Sequence, residues 1–360
     1  MGASALRIVQ VINSLDVGGA EGLVVDLSHA LKQFGHDVTI VSLRPLGGTS
    51  PVEQRARSVG LEVRSIGARN PLSSIFRLRQ IAGTADVLHA HLFPAFYLSA
   101  LVPCRVKIVT EHSPTNRRRM HRLAAYIEPS IYGRYDRCVG ISEGVSTALR
   151  AHLGGRNTAE IVTIANGIDL GRFKPQTVPA SPPGRLRLIS VGALDHRKNV
   201  RGAIEAVVGL PDVSLTIVGE GPLRRQLELE VRERGGEGQV VFLGMRDDVP
   251  ELLRSHDALL STAAYEGFGL AALEAMASGL PALAPAVPGI GNLVEHERSG
   301  LLHGVGDTCT LTRQVRALRD DPAMRAGLAR GALRRSEEFS ITRTARQYAE
   351  LYRDLTEAAP

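Results

Sequence analysis

The stretch "KPQTVPASPPG" (174–184) places four prolines and a glycine in eleven positions. Proline fixes φ and removes an amide donor, so no helix or strand runs through it, and it is expected to be a linker. On its N-terminal side, short and nearly continuous aliphatic segments recur: "RIVQVIN" (7–13), "DVTIVSL" (37–43), "DVLHAHL" (86–92), "KIVTEH" (107–112) and "RCVGIS" (137–142). Each is followed by a polar or glycine turn and then by apolar residues at helical spacing. The alternation restarts beyond the prolines with "LRLISVG" (186–192), "VSLTIVG" (213–219), "QVVFLG" (239–244), "HDALLST" (256–262) and "LPALAP" (280–285). Apolar strands alternating with helices predict parallel sheets covered on both faces. The expected fold is therefore α/β, with two doubly wound, Rossmann-like domains over 1–175 and 186–339 and a Pro-rich linker at 176–185. The closing segment 340–360 contains "SITRTARQYAELYRDL" (340–355), with Ser340 as an expected N-cap. Ile341, Ala345, Tyr348, Leu351, Tyr352 and Leu355 fall on one face of an amphipathic helix. No period of 20 to 50 residues repeats, which argues against a solenoid.

Composition agrees with that reading. A chain of 360 residues exceeds the size of a single core, and 44% hydrophobic residues with 4% aromatics and no Trp imply interiors of Leu, Val, Ile and Ala. Cys104, Cys138 and Cys309 are widely spaced, without CxxC or Cys/His ligand spacing, so neither a disulfide framework nor a zinc site is expected. We read a reducing cytoplasm, no signal peptide and no membrane span. Residues 1–175 hold 21 Lys/Arg against 13 Asp/Glu, a balance of +8, whereas the remainder holds 22 against 24, a balance of −2. A one-sided basic domain suits an anionic membrane surface, an acidic substrate or nucleic acid, and also serves solubility.

Open parallel sheets bind ligands outside the carboxyl ends of their strands, so a cleft between two such domains is the expected active site. "SLDVGGAEGL" (14–23) follows the first strand, and its Gly18 and Gly19 offer either a phosphate contact at a helix start or a plain turn. "TEHSPTNRRRMHR" (110–122) puts His112 at a strand end, as a ligand contact or as a histidine satisfied by its loop. Arg117, Arg118, Arg119 and Arg122 form the densest basic cluster, read either as solvated charge or as a docking point for anionic lipid or a phosphate-bearing acceptor. The histidines of "HAHLF" (89–93) point to one side of a strand and lack a third ligand for a metal. In "SVGALDHRKNV" (190–200), Gly192 ends a strand before Arg197 and Lys198, which are phosphate contacts or surface charge. "IVGEGPLRRQLE" (217–228) repeats the layout with Gly219, Gly221 and Pro222 before a helix, largely as capping geometry, and its Glu220 is a candidate donor contact.

"AAYEGFGLAALEAMASGLP" (263–281) holds two carboxylates eight positions apart, Glu266 on a glycine loop and Glu274 inside a small-residue helix. The amides of Gly267, Phe268, Gly269 and Leu270 between them can hold a diphosphate. A glycosidase pair would have to flank one bond, whereas two carboxylates fixed beside a phosphate site read as grips on two sugars of one ligand.

These residues resemble the retaining, nucleotide-sugar-dependent glycosyltransferases of GT-B fold known as glycosyltransferase family 4, the group 1 glycosyltransferases. The resemblance rests on pieces in order along nearly the whole chain: "GGAE" (18–21), "DVLHAH" (86–91), "EH" (111–112), "ISEGV" (141–145), "NGID" (166–169), "VGALDHRKN" (191–199), "IVGEGPLR" (217–224), "FLG" (242–244), "DVPELL" (248–253) and "YEGFGLAALEAMASGLP" (265–281). The last carries the Glu-x7-Glu signature. It implies two domains facing a cleft, a nucleotide sugar held mainly by the second and an acceptor by the first, with the last helix packed back on the first. By position, Glu274 maps to the ribose, Glu266 to sugar hydroxyls, Phe268 to Leu270 to the sugar and diphosphate, Lys198 to the diphosphate, Gly19 to the amino-terminal loop and His112 to the transferred sugar. One departure is Ala193, where the family usually has Arg; Arg197 is the nearest substitute for that charge. The expected function is metal-independent transfer of a hexosyl or N-acetylhexosaminyl group, with no cofactor. The donor is a UDP-sugar, or alternatively a GDP-sugar, and the acceptor a lipid-linked or cell-envelope glycan. Peripheral contact with the inner face of the cell membrane and no nucleic-acid partner follow. A soluble natural-product acceptor, a sugar-nucleotide epimerase and a non-catalytic binding module are the rival readings.

Overall fold

The computed structural model describes residues 5–67, 70–116, 119, 122–155, 159–175 and 181–359. Two compact units divide the chain: residues 1–167 with 341–360, and residues 168–340. The division falls ahead of the prolines because the Ile168 amide donates to the Phe339 carbonyl and Ile168 bridges to Ser340, tying 168–175 to the second unit. Part of the linker, 176–180, lies outside the described residues.

In the first unit, seven parallel strands, β1 (Arg7–Ile12), β2 (Asp37–Ser42), β3 (Glu62–Ser65), β4 (Val87–His91), β5 (Val106–Glu111), β6 (Arg137–Gly140) and β7 (Glu160–Thr163), run in the order β3-β2-β1-β4-β5-β6-β7. Side chains alternate across a strand. Ile8 of β1 therefore joins the core beneath the helices Gly19–Gln33 and Ile341–Ala358, while Val9 and Val11 join the core on the opposite face. The final helix is part of this unit's interior: Ile341, Ala345, Tyr348, Ala349 and Tyr352 are all buried.

In the second unit, six parallel strands, β8 (Leu186–Val191), β9 (Val213–Val218), β10 (Val240–Gly244), β11 (Ala258–Leu260), β12 (Ala282–Pro285) and β13 (Gly300–His303), run in the order β10-β9-β8-β11-β12-β13. The chain builds outward from β8 on one side and then returns to its other side with β11. That reversal is the topological switch point, where connections leave for opposite faces and a crevice opens at the strand ends. In the first unit the corresponding reversal lies between β1 and β4.

The strands at 62–65, 160–163 and 300–303 have no counterpart among the expected segments. Each is four residues long and sits at a sheet edge. Among the described residues no helix is long and apolar enough to cross a membrane.

Candidate active site

The switch point of the second unit is built by glycines. Leaving β8, Gly192 has φ +152, and a Cβ on Gly219 would fall 1.9 Å from the Gly192 carbonyl oxygen. A Cβ on Gly221 would lie 2.4 Å from the Leu194 carbonyl oxygen. The loops after β8 and β9 can therefore zip together, with the Leu194 amide donating to Glu220 O at 2.9 Å and the Leu223 amide to Leu194 O at 3.0 Å. Asp195 accepts from the Lys198 amide at 3.0 Å, which turns the lysine back over Gly192.

From the other side of the crevice comes the loop after β11. The Ala264 amide donates to the Arg197 carbonyl at 2.8 Å, and the Thr262 hydroxyl donates to the Asn199 carbonyl at 2.8 Å, so the β8 and β11 loops form one assembly. Gly269, left-handed at φ +96, starts the helix Leu270–Ala277. Lys198 and Glu266 meet as an ion pair with side chains only 20% and 14% exposed. Together with Gly192, Thr262, Gly269 and Ile290 they line a recess beyond β8 and β11. Its chemistry is a cation and a carboxylate that neutralise each other, backed by a helix start whose amides favour an anion.

Phe268 is buried edge-on against Phe339, with ring centroids 5.6 Å apart, so only its backbone is available to a ligand. Gly267 and Leu270 are half-buried beside it, and Glu274 is half-buried on the helix one turn beyond. The Arg197 guanidinium turns to Asp195 at 3.5 Å. Glu220 pairs with Arg224 beside Gly244.

Two groups of expected site residues belong to the first unit. Gly18 and Gly19 precede the helix Gly19–Gln33, but the Glu21 carboxylate folds back on Gly18, where a Cβ would lie 2.1 Å from Glu21 Oε2. Burial, with a smaller contribution from Asp16, raises the pKa of Glu21. An anionic ligand at those amides must displace that carboxyl. His112 follows β5, and its Nε2 lies 3.1 Å from His91 Nδ1. Burial lowers the His112 pKa from 6.5 to about 4, so the ring is neutral at physiological pH.

The basic cluster needs a correction. Arg119 is not a surface cation: its side chain is 8% exposed and its Nη2 donates to Glu111 Oε2 at 2.7 Å. The Tyr132 hydroxyl donates to the same oxygen at 2.6 Å. A desolvated cation held in such a pair is not offered to a membrane or an acceptor, since removing it strands the carboxylate. Arg117 and Arg118 lie outside the described residues. Arg122 opens the helix Arg122–Tyr132, and its side chain lies outside them too.

Sequence reasoning missed Asp195, Glu21 and Gly289. A Cβ on Gly289, which has φ +96, would sit 2.7 Å from Glu266 O and 2.9 Å from the Gly267 carbonyl, so this glycine backs the Glu266 loop. The Pro-Gly signal of "VPGIGN" (287–292) marks a turn but not what it abuts.

Two open parallel α/β units, each with its own switch point, are the GT-B architecture. Residues 174–335 match the family model described as glycosyl transferases group 1, and residues 17–172 match that described as Glycosyltransferase Family 4. The chain is 30% identical to glycogen synthase of Mycobacterium tuberculosis, over 93% of this chain and 91% of that protein. It is 27% identical to a lipopolysaccharide core biosynthesis glycosyltransferase, LpsE, of Rhizobium meliloti, over 87% of this chain and 88% of the relative. Its fold is similar to that of Anabaena HepE in complex with UDP-glucose, at a TM-score of 0.82 and 22% identity, covering 96% of this chain and 99% of that one. The chain belongs to the group 1 glycosyl transferases and is a glycosyltransferase.

Proposed function

We propose that the protein transfers a hexosyl or N-acetylhexosaminyl group from a nucleotide diphosphate sugar, with a UDP-sugar as preferred donor and a GDP-sugar as second choice, and with retention at the anomeric carbon as in family 4. The observation that carries this reading is the Lys198–Glu266 pair on the glycine loops at the ends of β8 and β11. A diphosphate recruits Lys198, and this frees Glu266 to accept hydrogen bonds from sugar hydroxyls. Gly267, the Phe268 to Leu270 backbone and Gly192 approach the diphosphate and sugar, while Glu274 accepts from the ribose. During transfer, negative charge grows on the departing diphosphate as positive charge grows on the ring. Lys198 and the start of the helix Leu270–Ala277 stabilise the first. His112 is the residue we assign to the transferred sugar.

The reaction needs no metal or other cofactor on this account, because Lys198 and the helix start supply the positive charge. Turnover that is lost with EDTA and restored by a divalent cation contradicts this. Retention is tested by NMR of the product's anomeric configuration.

For the acceptor we favour a lipid-linked or cell-envelope glycan. The +8 balance of residues 1–175 and the likeness to a lipopolysaccharide core enzyme support it. Contact with anionic lipid then falls to Arg117, Arg118 and Arg122. Co-sedimentation with anionic liposomes at low salt should weaken in an Arg117→Ala/Arg118→Ala variant; equal binding by wild type and variant contradicts the membrane part. The glycogen synthase likeness favours a second reading, a soluble glycan acceptor.

A further inference from the structure

Three adjacent central strands of the first unit carry polar side chains where buried parallel strands are ordinarily aliphatic. Register pairs Gln10 of β1 with His89 of β4, and His91 of β4 with Thr110 of β5, all on one face and all buried. The helix Ile341–Ala358 lays Tyr348 and Tyr352, one turn apart, over that face.

One continuous chain of hydrogen bonds joins them to His112. Gln10 sets its direction. Its Oε1 accepts from His91 Nε2–H at 2.7 Å, which leaves His91 Nδ1 to accept from His112 Nε2–H at 3.1 Å. Its Nε2 donates to the Tyr352 hydroxyl, the longest link at 3.4 Å. The Tyr352 hydroxyl also hydrogen-bonds His89 Nδ1 at 2.7 Å, His89 Nε2 hydrogen-bonds Thr110 Oγ1 at 2.7 Å, and Thr110 hydrogen-bonds the Tyr348 hydroxyl at 2.9 Å. Burial holds His89 and His91 well below the usual histidine range, and His112 at about 4, so each ring is neutral with a single N–H. Between His112 and Gln10 the direction is set: His112 Nε2–H donates to His91, and His91 Nε2–H donates to Gln10. Of the six ring nitrogens, only His112 Nδ1 has no partner among the described residues, and it carries a lone pair.

We propose that Gln10, His91 and the C-terminal helix's Tyr352 are positioning residues that lock His112 as its Nε2–H tautomer, so that Nδ1 presents a fixed acceptor to a substrate hydroxyl. That the hydroxyl belongs to a sugar rests on the transferase reading above; the tautomer does not. A fixed acceptor discriminates: a sugar lacking the hydroxyl leaves the nitrogen unpaired, which is how sites built to hydrogen-bond a hydroxyl reject deoxy analogues.

The test is the two-bond 15N–1H histidine spectrum of the full chain at pH 7, with His112 assigned by the signal lost in His112→Gln. The wild type is expected to show the Nε2–H tautomer. Tyr352→Phe removes the acceptor of the Gln10 amide and frees it to turn, so His112 should become a mixture of tautomers. Gln10→Glu keeps an acceptor for His91 and should retain the wild-type form. With UDP-glucose as donor probe, Tyr352→Phe should lower kcat about tenfold while KM changes less than about twofold, as expected for an interaction made chiefly in the transition state. An Nδ1–H His112 in the wild type, or an unchanged tautomer in a folded Tyr352→Phe, overturns the proposal. The wild-type spectrum decides even if the variant fails to fold. An Nε2–H His112 in a protein that turns over no nucleotide sugar supports the tautomer lock and overturns the transferase reading instead.

Discussion

Lys198 and Glu266 compensate each other in the recess, so removing either strands the other. Glu266→Ala leaves a mostly buried ammonium without its partner and ready for a diphosphate. We expect this variant to bind free UDP at least as well as wild type by calorimetry, while transfer falls by about 10²- to 10³-fold, the usual cost of losing a polar contact made in the transition state. Parallel loss of both would reassign Glu266 to nucleotide binding alone. Gly219 is confined by the backbone that faces it. Its φ of +138 and the 1.9 Å approach of its missing Cβ to the Gly192 carbonyl admit no side chain, so Gly219→Ala must part the β8 and β9 loops. A destabilisation of about 2–4 kcal/mol in urea titration, with weakened donor binding, is expected. The sequence marks Lys198, Glu266 and the glycine loop because chemistry and turn requirements coincide there. It does not separate Arg119 from its two neighbours: three consecutive arginines look alike until the fold brings Glu111 to one of them. Gly289 was illegible for the same reason, since its contact lies more than twenty residues away in the chain.

Most elements could be read from local pattern. The central strands β1, β4 and β5 are buried almost throughout, so their sequences are largely Val, Ile, Leu and Ala, whereas β9 alternates, with Ser214 exposed between Val213 and Leu215. The edge strands β3 and β7 are short and partly exposed, so "EVRS" (62–65) and "EIVT" (160–163) carry too little apolar signal to stand out from loop. The C-terminal helix was legible from its 3.6-residue periodicity, and its tyrosines are as telling as its aliphatic residues. Tyr352 is fully buried in the first unit's core. Tyr352→Ala should cost about 3–5 kcal/mol, the range for truncating a buried aromatic, whereas Tyr352→Phe should cost much less because the ring's packing survives. Equal costs would mean that the hydroxyl, not the ring, dominates.

At the scale of the molecule, histidines buried in their neutral form couple stability to pH. The pKa values of His36, His89, His91, His112 and His256 are all lowered, chiefly by burial. The unfolded chain protonates its histidines near pH 6.5, while the folded protein takes up those protons only at lower pH. The unfolded state therefore binds more protons in that window, and stability rises with pH through it. The stabilisation is fully present above about pH 6.5 and is lost as pH falls towards 4. Urea titrations between pH 7 and 5 should give a slope steeper than the roughly 1.4 kcal/mol per pH unit of one histidine. A flat profile would mean that these rings are hydrated or charged in the native state. None of this was legible from sequence, where "HAHLF" (89–93) shows only strand alternation and no partners; the tyrosines that complete the network come more than 250 residues later.

A nucleotide-sugar site held by Lys198 in the second unit can be read by calorimetry. Wild type and Lys198→Ala would each be titrated with UDP-, GDP- and ADP-sugars in EDTA. Wild type is expected to bind one class of donor, UDP-sugars first, and Lys198→Ala to weaken this binding by about tenfold or more, the loss of a charge-assisted contact to phosphate. Silence of the wild type across the panel, or binding indifferent to Lys198, would contradict it.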